Sequence, residues 1–285
     1  MENDSIKKHA LVLFTKSPQP GMTKTRLTEK HGGLLSDQEA AELYRAMMLD
    51  VATAAFLALE MCRQKAAGSN STDTYDFIIS CTPESEKAKL QAIFVAEFPE
   101  AKAIRYIIDR GRNFDEHFND HYRQLFEQGY HSVVCVGGDL PTISPEFIHR
   151  AFQWLFYLSA KSDRGSMVVT PCQAAGVSLV GLTADAPMDF AGVFYNPRGV
   201  PALEAITHIA AERQIPMALL EVLSDVDSQE DLAHTIAVMN AMAYSSSFQP
   251  GMHVPKRTIA WVKNMGFMVK TPPNEEYDPR RSIDG

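Results

Sequence analysis

The stretch "LVLFTKSPQPGMTKTRL", residues 11–27, joins a short apolar run to a loop rich in proline and positive charge. The apolar run has strand length, which predicts a buried β-strand. The prolines hold the loop open, and Gly21 lets the backbone turn or approach a ligand closely. Lys16, Lys24 and Arg26 place three cations in this loop. Lysine offers a mobile charge and arginine a planar fork for phosphate oxygens, so the loop is a candidate phosphate site, with an ordinary solvated loop as the alternative.

Outward from this stretch, apolar runs of strand length alternate with longer helical patterns. Strands are predicted at residues 9–14, 75–82, 103–109, 131–136, 166–172, 176–182 and 216–223. Helices are predicted over residues 36–67, 83–98, 113–129, 144–161, 199–214 and 228–243. The alternation predicts a parallel or mixed sheet sandwiched by helices. Ligands of such sheets bind beyond the carboxyl ends of the strands, so residues that follow an apolar run are the candidates for a site.

Local signals mark some helix ends. Ser36 and Glu39 have the spacing of a capping box, and so do Ser228 and Asp231. Gly129 has the position of a glycine just beyond a helix C-terminus.

A second strand end carries an acid in "VVCVGGDLPTIS", residues 133–144. Asp139 follows a buried run, and Gly137 and Gly138 clear space around it. Mg²⁺ and Mn²⁺ are bound by one or two carboxylates together with substrate phosphates, which makes Asp139 a candidate metal ligand. The alternative is a turn in which Asp139 caps local backbone.

A third strand end carries more acids in "DVDSQEDL", residues 225–232. The capping box explains Ser228 and Asp231 but requires neither Asp225 nor Asp227. Two further carboxylates there would repel each other without a nearby cation. Asp227 is therefore the second candidate metal ligand, ahead of Asp225.

Composition narrows the class of protein. The 285 residues carry a formal net charge of −8, which disfavours a general nucleic-acid binder because phosphate neutralisation needs a broad basic surface. The four cysteines lie far apart and form no CxxC, as expected for reduced thiols. The sequence shows neither a signal peptide nor an apolar run of about 20 residues that would span a bilayer. We therefore expect a cytoplasmic protein with small-molecule partners, without nucleic-acid or membrane partners.

The three motifs, in this order and at these distances, resemble a bacterial family of small GT-A-fold proteins similar to nucleotide-diphospho-sugar transferases. Its members are often named glycosyltransferases, some in connection with arsenosugar biosynthesis. The motifs are also similar to those of 2-phospho-lactate guanylyltransferases and, more distantly, of molybdenum-cofactor nucleotidyltransferases. The resemblance covers about residues 8–243, and it implies a three-layer α/β/α sandwich with a mostly parallel sheet.

The resemblance also implies roles for particular residues. The phosphates of a nucleotide would be held by Lys16, Pro20, Gly21, Lys24, Arg26 and Gly138. A Mg²⁺ or Mn²⁺ cofactor would be held by Asp139 and completed by Asp227, with Asp139 and Lys24 as the catalytic residues.

The chain departs from the family pattern in two places. Where members carry a "DGGYYLIGL"-like strand, this chain has "AAGVSLVGL", residues 174–182, with Ala174 at the acid position and Val177 and Ser178 at the aromatic positions. Where members have an arginine near a helix start, "GRNFDEHF" places His117. Both regions are expected on the acceptor side.

The sequence thus predicts a metal-dependent transferase that moves a group, a sugar in the simplest case, from a nucleotide-activated donor to a small acceptor. The alternatives are nucleotidyl transfer with release of pyrophosphate and a catalytically silent nucleotide-binding protein. His117 and His121 faintly resemble a zinc-peptidase pair, but a packed or partly exposed pair of histidines explains them better. The transferase domain is expected over residues 1–243. A linker, a short helix and a mobile tail are expected over residues 244–285. The apolar residues of this segment have two interpretations, as a cover for the edge of the core and as a homodimer contact.

Overall fold

The computed structural model describes residues 6–69 and 71–270. It is built around one β-sheet. Within these residues the sheet has seven strands, in the order β3-β2-β1-β4-β6-β5-β7. The strands are β1 (Lys8–Thr15), β2 (Thr74–Cys81), β3 (Arg105–Ile108), β4 (Tyr130–Gly137), β5 (Met167–Pro171), β6 (Val177–Thr183) and β7 (Met217–Leu219). β6 runs antiparallel to β4 and β5, and every other pair of neighbours is parallel. The expected mostly parallel sheet is confirmed.

Helices cover both faces of the sheet. The helices of the described residues are α1 (Asp37–Gly68), α2 (Lys87–Glu97), α3 (Phe114–Glu127), α4 (Pro145–Ser159), α5 (Ala202–Glu212), α6 (Gln229–Ser245) and α7 (Lys256–Met265). Leu11 and Leu13 of β1 belong to the apolar cluster that holds α1, α4 and α7, while Ala10 and Val12 belong to the cluster that holds α3 and α5. Successive side chains of a strand point to opposite faces, so both faces of β1 are buried. The predicted three-layer α/β/α sandwich is confirmed.

The caps form as the sequence predicted. The Glu39 backbone N–H donates to Ser36 Oγ at 3.2 Å, and the Ser36 N–H donates to Glu39 Oε2 at 2.7 Å. The same reciprocal pair joins Ser228 and Asp231 at the start of α6. α3 ends at Glu127, its C-cap is Gln128, and Gly129 follows with a φ of +81°. These local bonds satisfy backbone groups that a helix end leaves unpaired, which is why they could be predicted.

The C-terminal helix packs against the rest of the molecule. α7 buries Thr258, Ile259 and Val262, and it contacts α1. The predicted tail at residues 271–285 lies outside the described residues, and the division at residue 243 stays a prediction. No helix of the described residues combines the length and the apolar character that crossing a bilayer requires. All four cysteines lie in the described part and are buried as free thiols.

The order of the strands creates a switch point between β1 and β4. The chain runs from β1 outward through β2 to β3 and then returns to place β4 on the other side of β1. The connections therefore leave in opposite directions beyond the carboxyl ends of β1 and β4, which opens a crevice there. The first two sequence motifs follow these two strands.

Candidate functional site

A cavity of about 830 Å³ lies at the switch point. Its lining includes residues that follow β1, β3 and β4, residues at the start of β6, and two acids of the segment that follows β7. β6 contributes its amino end because it is antiparallel, which brings Val177 and Ser178 to the same edge of the sheet as the carboxyl ends of its neighbours. One cavity therefore collects side chains that are far apart in sequence.

The loop after β1 turns Lys24 inward. Gly21 has a φ of +74°, and Lys24 itself has a left-handed backbone with a φ of +50°. That conformation costs a non-glycine residue about 1–2 kcal/mol, and such strained residues cluster at functional sites. The Lys24 side chain is only 7% exposed, whereas Arg26 is 73% exposed at the mouth of the cavity.

Lys24 joins the two predicted metal ligands. Its Nζ lies 2.6 Å from Asp139 Oδ2 and 2.7 Å from Asp227 Oδ1. Arg26 Nη1 lies 3.3 Å from the other oxygen of Asp227. Four residues from three loops thus meet at one point, as the sequence predicted, but the ammonium of Lys24 lies between the acids.

These contacts determine the charge of the site. Burial alone would lower the pKa of Lys24, but Asp139 and Asp227 outweigh it and hold that pKa above its ordinary value. Burial opposes and Lys24 favours the ionised form of Asp227, and the net effect is a lowered pKa. Partial desolvation, followed by the charge of Lys24, lowers the pKa of Lys16. Lys24 and Asp227 therefore form a charged pair at neutral pH.

Close packing holds Asp139 in place. A Cβ on Gly138 would lie 2.9 Å from the Tyr44 hydroxyl and 3.2 Å from Thr15 Oγ1, so a larger residue there would force these side chains to shift. The Thr15 and Tyr44 hydroxyls are themselves hydrogen-bonded at 2.7 Å. The Asp139 carbonyl accepts from the Val226 N–H at 3.2 Å. This bond joins the turn after β4 to the acidic segment that carries Asp227.

Asp225 takes a different position from Asp227. Its Oδ2 lies 3.8 Å from the Cys172 thiol, and its carbonyl accepts from Gln173 Nε2 at 2.8 Å. Burial, followed by the charges of Asp139 and Asp227, raises the pKa of Asp225 to about 6. Asp225 therefore lines the cavity without contacting Lys24.

Most of the predicted phosphate residues line the cavity. Lys16, Lys24, Arg26 and Gly138 do so, while Pro20 and Gly21 are absent from the lining within the described residues. Gly21 instead supplies a positive φ to the turn that precedes Lys24.

The acid pair fits a hard divalent cation. One ammonium contacts both Asp139 and Asp227, so a single cation can reach an oxygen of each. Within residues 6–69 and 71–270, no group of three His, Cys, Asp or Glu side chains is placed to hold a metal ion. Mg²⁺ and Mn²⁺ are commonly held by one or two carboxylates together with substrate phosphates, so two acids suffice if a substrate completes the set.

Sequence reasoning missed part of the lining. Tyr44, Asp109, Phe114, Phe194 and Tyr195 all line the cavity. Asp109 follows β3 directly and could have been found by the rule that drew attention to Asp139. Phe194 and Tyr195 come from an irregular segment, in which no periodicity signals a position in space.

The two histidines of α3 have different environments. His121 is fully buried among aromatic rings, 5.2 Å from Phe14 and 4.1 Å from Tyr122 between ring centroids. His117 Nδ1 lies 2.8 Å from Asp109 Oδ1 at the cavity wall. The prediction of a packed or partly exposed pair is therefore confirmed, since His121 is buried and His117 is 21% exposed.

Comparisons with known proteins agree with this architecture. A crystal structure of a protein from Desulfovibrio desulfuricans G20, provisionally assigned as a nucleotide-diphospho-sugar transferase, matches with a TM-score of 0.68 and 21% identity. The match covers 92% of this chain and 96% of that one. At this identity the likeness establishes the fold alone.

Two further structures match less well. A cytidylyltransferase from Leptospira borgpetersenii has a TM-score of 0.46 and 11% identity, over 94% of this chain and 98% of that one. A 4-diphosphocytidyl-2C-methyl-D-erythritol synthase from Anaerococcus prevotii has a TM-score of 0.46 and 10% identity, over 83% and 97%. Both are less similar to this chain than the Desulfovibrio desulfuricans protein is.

Comparison by sequence gives a shorter match. No curated protein is similar to this chain in sequence. Residues 66–197 match the model of a family described as "Uncharacterized protein conserved in bacteria (DUF2064)", a span that is less than half of the chain. Residues 66–197 thus carry the DUF2064 pattern, and the chain as a whole has the fold of the nucleotide-diphospho-sugar transferases.

Proposed function

We propose that this chain is a metal-dependent transferase that binds a nucleotide-activated donor, a nucleotide sugar in the simplest case, and moves the activated group to a small acceptor. One observation carries the proposal: Lys24, Arg26, Asp139 and Asp227 converge on one point of a cavity at the switch point of the sheet. Such a crevice is where open α/β sheets bind their ligands.

The charge balance of the site supports a metal. Lys24 and Arg26 are already paired with the acids, so a bound diphosphate would add negative charge that these cations alone cannot neutralise. A divalent cation held by Asp139 and Asp227 would supply positive charge to the diphosphate as its bond to the transferred group breaks. Lys24 would then be free to leave the acids and bind phosphate oxygens.

The residues of the chain have separate roles in this proposal. Lys24 and Arg26 hold the phosphates, and Arg26 at the mouth of the cavity is the more accessible of the two. An acceptor hydroxyl forms a bond to the sugar carbon and releases its proton to solvent. The bond from that carbon to the diphosphate breaks, and its electron pair leaves with the nucleoside diphosphate.

The test is calorimetry with nucleoside diphosphates and Mn²⁺, comparing the wild type with Asp139→Asn. The amide removes the negative charge of the metal ligand and keeps its shape, so Mn²⁺-dependent nucleotide binding should be lost while the melting temperature changes little. Asp163→Asn is the matched control, because Asp163 is exposed and lies outside the lining of the cavity. Equal affinity in Asp139→Asn and wild type would remove Asp139 from the site.

Product analysis separates the alternatives. Release of a nucleoside diphosphate from a nucleotide sugar supports the proposal, whereas release of pyrophosphate from a nucleoside triphosphate would indicate nucleotidyl transfer. Nucleotide binding without either product would indicate a silent binding protein. The replacement of an acid by alanine is consistent with this last outcome. Ala174, whose side chain is exposed, stands where the family that the sequence resembles has an acid.

A further inference from the structure

A second polar group lies in the cavity, after β3 and at the start of α3. Asp109 is buried, with its side chain 1% exposed, and His117 is 21% exposed. Ser80 Oγ donates to Asp109 Oδ2 at 2.7 Å, and His117 Nδ1 lies 2.8 Å from Asp109 Oδ1. The three side chains form a chain of hydrogen bonds from β2 to the cavity wall.

This arrangement fixes the orientation of the His117 ring. In the neutral ring, the bond to Asp109 places the single proton on Nδ1 and leaves Nε2 as an acceptor. Nε2 has no hydrogen-bond partner among residues 6–69 and 71–270, and His117 lines the cavity. The ring therefore offers the cavity one acceptor in a fixed direction.

Aromatic side chains line the same cavity as this acceptor. Phe114 is 37% exposed and lies 5.0 Å from Phe194 and 5.9 Å from Tyr195 between ring centroids. All three rings line the cavity with His117. Apolar aromatic walls with one or two placed polar groups are typical of sites for flat organic ligands.

The distance from the acids narrows the choice of ligand. β2 and β1 lie between β3 and β4, so the carboxyl ends of β3 and β4 are about 14 Å apart at the usual spacing of neighbouring strands. A nucleoside diphosphate can span such a distance, so its base can reach His117 when its phosphates lie at Asp139 and Asp227. The reacting bond, by contrast, stays near the acids, which disfavours His117 as a proton acceptor in the transfer. This position differs from the acceptor side, where the resemblance led us to expect His117.

We propose that His117 selects the base of the bound nucleotide, with Nε2 accepting a hydrogen bond from an amino group of the base and Phe114 packing near the base. Asp109 is a positioning residue that holds the ring in this orientation. The proposal rests on the proposed function, because it requires the phosphates of a nucleotide at the acid pair.

The experiment measures the affinities of CDP, UDP, ADP and IDP, with Mn²⁺ at pH 8, for the wild type and for His117→Ala. Each pair of ligands differs by an amino or a keto group on the base. The wild type should prefer the amino member by about tenfold, and the ratio should fall to about twofold or less in His117→Ala. His117→Asn serves as a second variant if His117→Ala does not fold. His208→Ala, an exposed histidine on α5, is the matched control.

Asp109 is tested by its conservative variant. In Asp109→Asn the amide oxygen can still accept from His117, and the amide N–H₂ can donate to Ser80, so the base preference should persist. Asp109→Ala should lose the preference, and the ¹⁵N shifts of His117 should show the Nδ1–H form decline in favour of Nε2–H. Loss of stability without a change in preference or in the ring's protonated nitrogen would indicate a purely structural role.

Pyrophosphate with Mn²⁺ separates the two proposals, because it binds the phosphate site without a base. Suppose that pyrophosphate binds, but the wild type shows no preference for amino over keto bases, or the opposite preference, or His117→Ala keeps the wild-type preference. The assignment of His117 is then wrong, while the phosphate site stands. If His117→Ala weakens pyrophosphate as much as the nucleotides, His117 does not read the base. If neither pyrophosphate nor any nucleotide binds, the proposed function fails and the assignment of His117 fails with it.

Discussion

Two consecutive alanines have left-handed backbone conformations in the turn before β6. Ala174 has a φ of +54° and Ala175 a φ of +53°, and both side chains are exposed. A Cβ in this conformation meets the adjacent carbonyl oxygen, at a cost of about 1–2 kcal/mol per residue. The family that the sequence resembles has glycine at the position of Ala175, where the strain would be absent.

Replacing Ala175 with glycine should therefore stabilise the protein. The released strain exceeds the entropy that glycine adds to the unfolded chain, about 0.4–1 kcal/mol, so Ala175→Gly should raise the free energy of unfolding by about 0.5–1 kcal/mol. Urea denaturation measures the change. Ala160→Gly is the matched control, because Ala160 is exposed with an ordinary φ of −67° and has no such strain to release. A loss of stability in Ala175→Gly equal to that in the control would contradict the interpretation of the turn.

The ends of the elements show which features of the fold follow from local sequence. The capping boxes at Ser36 and Ser228 and the glycine at residue 129 formed as predicted, because each depends on residues within one helical turn. The direction of β6 also had a local signal. The connection from Pro171 to Val177 is too short for a parallel crossover, which needs a dozen or more residues.

α7 depends on a residue from α1 for its N-terminal cap. Its own N-cap position is Pro255, which forms no side-chain cap. Asp50, 3% exposed on α1, accepts from the Arg257 N–H at 3.2 Å and from the Thr258 N–H at 2.8 Å. It also accepts from the Thr258 hydroxyl at 2.8 Å. Burial raises the pKa of Asp50 even though these bonds oppose the rise.

Removing this acceptor should loosen α7. Asp50→Ala leaves buried donors without a partner, so we expect a loss of about 2–4 kcal/mol in the free energy of unfolding. Asp50→Asn retains one acceptor oxygen and should lose less. Hydrogen exchange locates the effect: the amides of α7 should exchange faster in Asp50→Ala than those of α5, which Asp50 does not contact. Uniform exchange across both helices would show that Asp50 is not a specific support of α7.

For the whole molecule, the sequence predicted which loops carry charge but not how the charges pair. Strand order and helix layers bring Lys24, Asp139 and Asp227 together from three loops. The charges of three such side chains can be neutralised by a bound metal or by one another. The spacing of the residues in the sequence does not distinguish a metal-bound site from an ion-paired one. Tyr195 was missed for a related reason, because an irregular segment that is remote in sequence brings it to the wall of the same cavity. A homodimer and a cytoplasmic location stay predictions.

In the proposed function, Lys24 and the metal would compete for the same two acids, because the ammonium contacts both of them. In Lys24→Met the ammonium is gone, so Mn²⁺ should bind about tenfold more tightly than in the wild type when no nucleotide is present. Nucleotide with Mn²⁺ should bind more weakly by a similar factor, because the lysine no longer contacts the phosphates.

Titration calorimetry with Mn²⁺ alone and then with a nucleoside diphosphate measures both changes, and Lys263→Met, an exposed lysine on α7, is the control. Opposite signs for the two ligands distinguish competition from simple damage to the site. If Lys24→Met weakens Mn²⁺ and nucleotide together, Lys24 supports the acids as a structural ion pair, and the exchange between lysine and metal does not occur.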